Sequence, residues 1–244
     1  MKKQANKSVG AFNQDAVEHQ GYLYSTNAPL SSQMANKRLS DLTLENVDLR
    51  DKTVLDIGCG DGVYTIELFD QIRVKSMLGV DYAAQAVEIA KTKSGTRPIK
   101  YEVQSAYNLP YATKSFDVAI LRGVLHHLDD PVPALKEALR VATIVWVIEP
   151  NGYNPGLKFL ERFSRYHIEH QEKSYPPGYL DKEIQRLGGK VLRRKWAGFV
   201  PMFCPDWMAK TMKAIEPVIE ALPVLKHLGC AVYVFSASDT LKEA

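Results

Sequence analysis

The sequence predicts an α/β fold built on a mostly parallel sheet. Short apolar runs at Val54–Ile57, Ser76–Val80, Asp117–Leu121 and Thr143–Ile148 alternate with stretches of helical spacing. A glycine-rich turn, Gly58-Cys59-Gly60-Asp61-Gly62, joins the first run to a helical stretch from Val63 to Phe69. The chain has 244 residues, 45% hydrophobic and 24% charged, which suits one large α/β domain.

In chain order, residues 1–20 are polar and offer little to bury. Gly21-Tyr22-Leu23-Tyr24 is an aromatic cluster, and Ser31–Val47 has helical character through Met34, Leu39, Leu42 and Leu44. Val54, Leu55 and Ile57 form the first strand, followed by glycines at alternate positions. Glycine accepts positive φ and lets a ligand reach the bare backbone. The second strand, Ser76–Val80, ends at Asp81-Tyr82, and a helix runs from Gln85 to Ser94-Gly95. An acid at the carboxyl end of a second parallel strand lies beside the first glycine turn and can accept ribose hydroxyls. The plainer reading of Asp81 is a helix N-cap.

Ile99–Gln104 reads as the third strand and Asp117–Leu121 as the fourth. Asp130-Pro131 signals a helix start, an acceptor at the N-cap and a fixed φ at N1, with the helix running to about Val141. His126 and His127 fall just past the fourth strand, at the sheet edge where open α/β folds bind ligands. Thr143–Ile148 is a fifth strand, ending in Glu149-Pro150 at the same edge. Pro177–Leu187 and Trp207–Glu220 have helical patterns, and Lys190–Trp196 and Ala231–Ala237 alternate like strands.

The glycine spacing counts against two phosphate-binding motifs. A dinucleotide turn needs its third glycine where Val63 stands, and no Gly-Lys-Ser/Thr follows as a P-loop requires. The run Asp56-Ile57-Gly58-Cys59-Gly60-Asp61-Gly62 instead resembles the first motif of class I S-adenosylmethionine (SAM)-dependent methyltransferases. Asp81, Ser105-Ala106 followed by Leu109-Pro110, and Leu125-His126-His127-Leu128 with Asp129-Asp130-Pro131 extend the resemblance, within the type 11-like small-molecule methyltransferases.

The resemblance covers about residues 50–150. It implies a Rossmann-like seven-stranded sheet with helices on both faces, an antiparallel last strand and a helical lid. It implies SAM as cofactor, held by Asp56, Gly58, Cys59, Gly60, Asp81, Tyr82, Ser105, Ala106 and Arg122. Two departures stand out. Ser105 occupies the position where the family usually has the aspartate that meets the adenine amino group. The Lys-Pro-Gly-Gly-like turn before the fifth strand is replaced by the direct run Arg140-Val141-Ala142-Thr143.

Residues 1–48 are expected to form an N-terminal arm and helix, and 49–244 the methyltransferase domain with a lid insertion at about 151–180. In the family the arm often covers the cofactor; a helix packed on the sheet edge accounts for it equally well. The lid carries Tyr153, Tyr166, His167, Glu169, His170, Tyr175 and Tyr179. A long insertion is usually functional or disordered, and this aromatic content favours acceptor binding. His127 is the candidate base, because imidazole titrates near neutral pH. His126, Tyr166, His167 and His170 are candidate acceptor contacts, with loop or lid packing as the plainer reading. His167 and His170, with Glu169 and Glu172, could suggest a metal site, since a His-x-x-His pair can put both rings on one helix face, but no cysteine or carboxylate cluster elsewhere completes a set, and no metal is expected.

Composition narrows the partners. The net charge of +3 is too mild to argue for nucleic acid, and no basic and aromatic stripe suits a single strand. A small or lipid-like acceptor is expected. Trp207–Leu228 could lie on a membrane surface, but a helix packed on the lid fits it better. The three cysteines are widely spaced and argue against a disulfide framework. No apolar run has membrane-spanning length and the N-terminus has no signal-like apolar core, so a cytoplasmic location is expected. Two other functions stay open: a SAM-binding partner subunit without catalysis, and a nicotinamide-dependent oxidoreductase. The sequence leaves the acceptor and the oligomeric state undetermined.

Overall fold

In a computed structural model, residues 10, 13–14, 16–26, 28–164, 168 and 172–239 are described. Seven strands form one sheet: β1 (Thr53–Ile57), β2 (Ser76–Asp81), β3 (Ile99–Val103), β4 (Phe116–Arg122), β5 (Ala142–Pro150), β6 (Gly189–Ala197) and β7 (Val232–Asp239). Their order is β3-β2-β1-β4-β5-β7-β6. The first five strands pair in parallel, and β7 runs antiparallel to both β5 and β6. The helices are α1 (Leu30–Asn46), α2 (Val63–Gln71), α3 (Ala84–Ser94), α4 (Pro131–Val141), α5 (Pro155–Phe163), α6 (Pro177–Arg186), α7 (Asp206–Ala221) and α8 (Pro223–Gly229), with a 3₁₀ turn at Leu125–His127.

The central strands are apolar on both faces because helices cover both. Leu55, Ala119, Leu121, Val145 and Val147 pack on one side with Leu135 and Ala138 of α4 and Leu180 and Ile184 of α6. Val54, Val118, Ile120, Trp146 and Ile148 pack on the other with Leu39 and Leu42 of α1, Leu68 of α2 and Val87 of α3. The N-terminal helix therefore lies on the sheet's face over its central strands, not on its edge. The Trp146 indole N–H donates to Thr43 Oγ1 at 3.0 Å and fixes that packing.

The connection before β5 is as short as the sequence implies, and one helix packs elsewhere than expected. The missing turn before β5 is compensated by Lys114, whose ammonium donates to the carbonyls of Leu139 and Ala142 at 2.8 Å each. A cation on the last carbonyls satisfies the helix end without a glycine cap. Among the described residues, the helix expected over Trp207–Glu220 packs on α1 rather than on the lid, with Arg38 donating to Glu220 at 2.6 Å. The lid instead meets α8, where Asn154 donates to the Gly229 carbonyl at 3.1 Å. Among the described residues no helix is long and apolar enough to cross a membrane.

Candidate cofactor and acceptor site

The site grows from the turn after β1. Gly58, Gly60 and Gly62 all have positive φ (77°, 55° and 77°). A Cβ at Gly58 would strike the Val124 side chain, so the turn can lie close under the loop after β4 only as glycine. Gly60 donates its N–H to Asp81 Oδ2 at 2.9 Å, and Asp81 Oδ1 accepts from Ala83 N at 2.8 Å. Burial raises the Asp81 carboxyl above its usual range, and the backbone N–H bonds pull against that rise. Each Asp81 oxygen keeps a second lone pair, and Tyr82 beside it is 52% exposed.

The other expected cofactor residues divide into two groups. Asp56 and Cys59 face inward. The Asp56 carboxylate accepts from the Thr65 hydroxyl at 2.6 Å, and burial pushes its pKa up to about 6. The Cys59 thiol is buried and its pKa is raised by burial. These two shape the turn from below, and Cys59 offers its backbone alone. Ser105 Oγ accepts from Tyr107 N at 3.2 Å, so part of its acceptor capacity closes its own loop. Ala106 is partly buried against the core.

Arg122, at the end of β4, reaches back to α1. Its guanidinium donates to Ser40 Oγ at 2.9 Å and to the carbonyl and side-chain oxygens of Asn36, and it lies 3.8 Å over the Tyr64 ring. Burial lowers its pKa from the usual value. Ser40 in turn donates to Glu67 at 2.8 Å. No residue pattern singles out Asn36, Ser40 or Tyr64, because they come together only when α1 lies on the sheet.

The N-terminal arm closes over the turn. Asp61 Oδ2 accepts from Tyr22 N (3.1 Å), Ser25 Oγ (2.8 Å), Thr26 Oγ1 (3.0 Å) and Lys93 Nζ (2.7 Å). The Tyr22 ring stands against Gly60, leaving no room there for a side chain. The arm thus packs against the glycine turn, with Asp61 as its anchor. Asp61 was missed at the sequence level, since an acid between two glycines reads as part of the turn.

On the acceptor side, Glu149 organises the loop after β4. It is buried and accepts backbone N–H bonds from Val124, Leu125 and His126, and its Oε2 lies 2.8 Å from His126 Nδ1. Burial opposes the charge on His126, but Glu149 outweighs it and the His126 pKa is raised. His127 follows on the same 3₁₀ turn, half-buried, with its ring centroid 3.8 Å from that of His126. The lid comes down beside them: Lys173 N donates to the His126 carbonyl at 3.1 Å, and the Tyr175 hydroxyl to the Leu128 carbonyl at 3.1 Å. The expected contacts Tyr166, His167 and His170 lie outside the described residues.

Residues 55–144 match the family model described as a methyltransferase domain. That stretch takes in the glycine turn, Asp81 and the 3₁₀ turn. It is 26% identical over 164 residues to a rice 2-methyl-6-phytyl-1,4-hydroquinone methyltransferase, covering 64% of this chain and 47% of that one. A tRNA U34 carboxymethyltransferase of Campylobacter fetus is 31% identical over 93 residues, 37% of this chain and 33% of the relative. The chain thus spans about half or less of the length of these curated relatives. Magnesium protoporphyrin IX methyltransferase from Synechocystis, solved with bound S-adenosylhomocysteine, shares the fold with a TM-score of 0.64 at 14% identity, over 95% of this chain and 97% of that one.

SAM is the cofactor that the resemblance implies, and the residues can be set against its adenosyl half. Asp81 presents a carboxylate and Tyr82 an open aromatic face beside it, and the glycines at 58 and 60 bring the turn's backbone close under Val124 and Tyr22.

Proposed function

We propose that this protein transfers a methyl group from SAM to a small or lipid-like acceptor bound between the 3₁₀ turn and the lid. The observation that carries the reading is the shared edge. Gly60 and Asp81 end at the carboxyl side of β1 and β2, and His126, His127 and Glu149 end at the carboxyl side of β4 and β5. One edge therefore offers a cofactor cradle and an acceptor pocket as neighbours.

SAM, when bound, supplies a methyl group already activated by its sulfonium. The protein's task is alignment of the acceptor with that group. Asp81 holds the ribose end. Glu149 fixes the 3₁₀ turn through three backbone N–H groups, and so sets where His127 stands. His127, rather than the buried and Glu149-bound His126, faces the acceptor and receives its proton or orients it. The named acceptors of the relatives, a hydroquinone and a tRNA, differ in kind. The aromatic lid, with Tyr175 stacked on Tyr179 at 5.5 Å, favours the small or lipid-like class.

Calorimetric titration with SAM, S-adenosylhomocysteine and NAD tests the cofactor. Methyl transfer from labelled SAM into fractionated metabolites, lipids and tRNA then tests the acceptor. Binding of SAM with label in the small-molecule or lipid fraction is expected. Label confined to tRNA overturns the acceptor class, and NAD binding without SAM binding overturns the activity.

A further inference from the structure

The loop after β4 and the lid bring together three side chains distant in sequence. His126, His127 and Glu172 each offer a donor atom, and these atoms lie within 4.8 Å of one another. We propose that they form a binding site for a divalent transition-metal ion of the zinc class. The expectation from sequence is no metal, since Glu172 is set there beside His167, Glu169 and His170 and not beside His126 and His127. Glu172 meets the histidines only because the lid folds back over the 3₁₀ turn, where Lys173 N bonds the His126 carbonyl.

Three features support the site. The first is the carboxylate behind His126. With Glu149 Oε2 at 2.8 Å from Nδ1, that nitrogen of the neutral ring carries the proton and Nε2 keeps its lone pair. A ligating histidine commonly donates its other N–H to a carboxylate, which fixes the tautomer and raises ligand basicity. Glu149 is itself held by three backbone N–H groups, so this support is rigid.

The second feature is space. Beside the cluster, a cavity of about 40 Å³ is lined by two of its members, His126 and Glu172, with Glu161 and Ser174, and has room for one ion or water. Glu172, and not Glu161, is the carboxylate whose oxygen falls within 4.8 Å of donor atoms of both histidines, so it is assigned as the ligand. The third is donor chemistry. Two imidazoles and one carboxylate suit zinc or its neighbours rather than magnesium or calcium, which take oxygen ligands. Ligands about 2.0–2.1 Å from zinc stand roughly 3.4 Å apart, so the donors close by little more than an ångström on binding.

Three protein ligands leave a fourth position open, as in sites that bind a water or a substrate oxygen. That the open position faces the methyl acceptor rests on the function proposed above; metal binding itself does not. An ion here would polarise an acceptor oxygen, and a zinc-bound His127 would then serve as ligand and not as base.

The test uses the full chain without an affinity tag, stripped with chelator and titrated with zinc alone in the absence of SAM. One zinc per chain is expected, with the melting temperature raised. His127→Ala and Glu172→Gln should each weaken zinc binding about 100-fold or more, beyond the 10–100-fold typical of an outer-shell change. Circular dichroism reports whether each variant is folded. Cobalt substitution of the wild type gives a readout that needs no variant: visible bands of nitrogen and oxygen coordination are expected. No zinc uptake, unchanged affinity in both folded variants, or a thiolate-to-cobalt charge-transfer band overturns the site. SAM binding measured alongside is unaffected by this result, so failure of the metal site and failure of the methyltransferase reading are separable.

Discussion

The amide N–H of Gly60 points at Oδ2 of Asp81 across 2.9 Å, linking the turn after β1 to the end of β2. The same carboxylate holds Ala83 N at 2.8 Å, so its position is fixed before any ligand arrives. An oriented charged acceptor contributes roughly 1.5–3 kcal/mol to a hydrogen bond. Asp81→Ala should weaken SAM binding by about that amount. Calorimetry on a variant with unchanged circular dichroism checks it, and wild-type affinity would refute the ribose assignment.

The arm makes a second prediction. Asp61 is the common acceptor for Tyr22, Ser25, Thr26 and Lys93. Removing one partner of a buried ion pair costs roughly 3–5 kcal/mol, and Lys93 is exposed enough to place this pair at the lower end. Asp61→Ala should therefore release the arm. Native-state proteolysis should cut within residues 16–26 faster than in wild type, and unchanged cleavage would show that the arm is held elsewhere.

Asp56 predicts a pH dependence. Burial raises its carboxyl from 3.8 to about 6, with the Thr65 hydroxyl pulling the other way. Because the folded pKa is the higher one, the native state binds this proton more tightly than the unfolded chain. Stability from this group is therefore present at low pH and lost as pH rises from about 4 to about 6. Asp56→Asn keeps an acceptor for Thr65 and removes the titration. Relative to wild type, its melting temperature should be level near pH 4 and higher above pH 6, by at most about 3 kcal/mol of stability. A constant difference across that range would refute the raised pKa.

The fold was readable where chemistry is local. The glycine turn, the strand-end acid Asp81 and the Asp130-Pro131 helix start declare themselves through residue type and spacing. Asp130 does accept from Val132 N at 3.0 Å as an N-cap. What stayed hidden is made by long-range packing. Arg122 reaches Asn36 and Ser40 only because α1 lies across the sheet face. Glu149 was placed at the correct edge, but its grip on Val124, Leu125 and His126 depends on β5 running beside β4. The exposed apolar side chains of α5, α7 and α8, among them Phe159, Phe163, Trp207 and Val224, read in sequence as packing stripes. Periodicity reports that a helix has an apolar face, not whether anything covers it.

Ser105 tests how far the family pattern applies. Its hydroxyl accepts from Tyr107 N within its own loop. An aspartate has the oxygens to keep that bond and accept a second from the adenine amino group. Ser105→Asp should hold or improve SAM affinity. A clear loss in a folded variant would place the adenine elsewhere.

The adjacent histidines should separate in opposite directions. His126 is buried and its Nδ1 is bound to Glu149, which is 1% exposed. Deleting the ring leaves a buried carboxylate with its backbone donors alone. His126→Ala should cost about 3 kcal/mol of stability, the low end for breaking a buried pair, because those donors remain. His127 is half-buried on the same turn, and its removal should change stability by less than about 1 kcal/mol. Its effect should fall on turnover instead, a loss of about 10²–10⁴ if it takes the acceptor's proton, with SAM affinity unchanged. A role in positioning alone would appear mainly in KM. Urea unfolding of both metal-free variants, with steady-state kinetics on an acceptor found by label transfer, decides the matter. Wild-type kcat and KM in a folded His127→Ala would remove His127 from the acceptor site and leave the cofactor assignment standing.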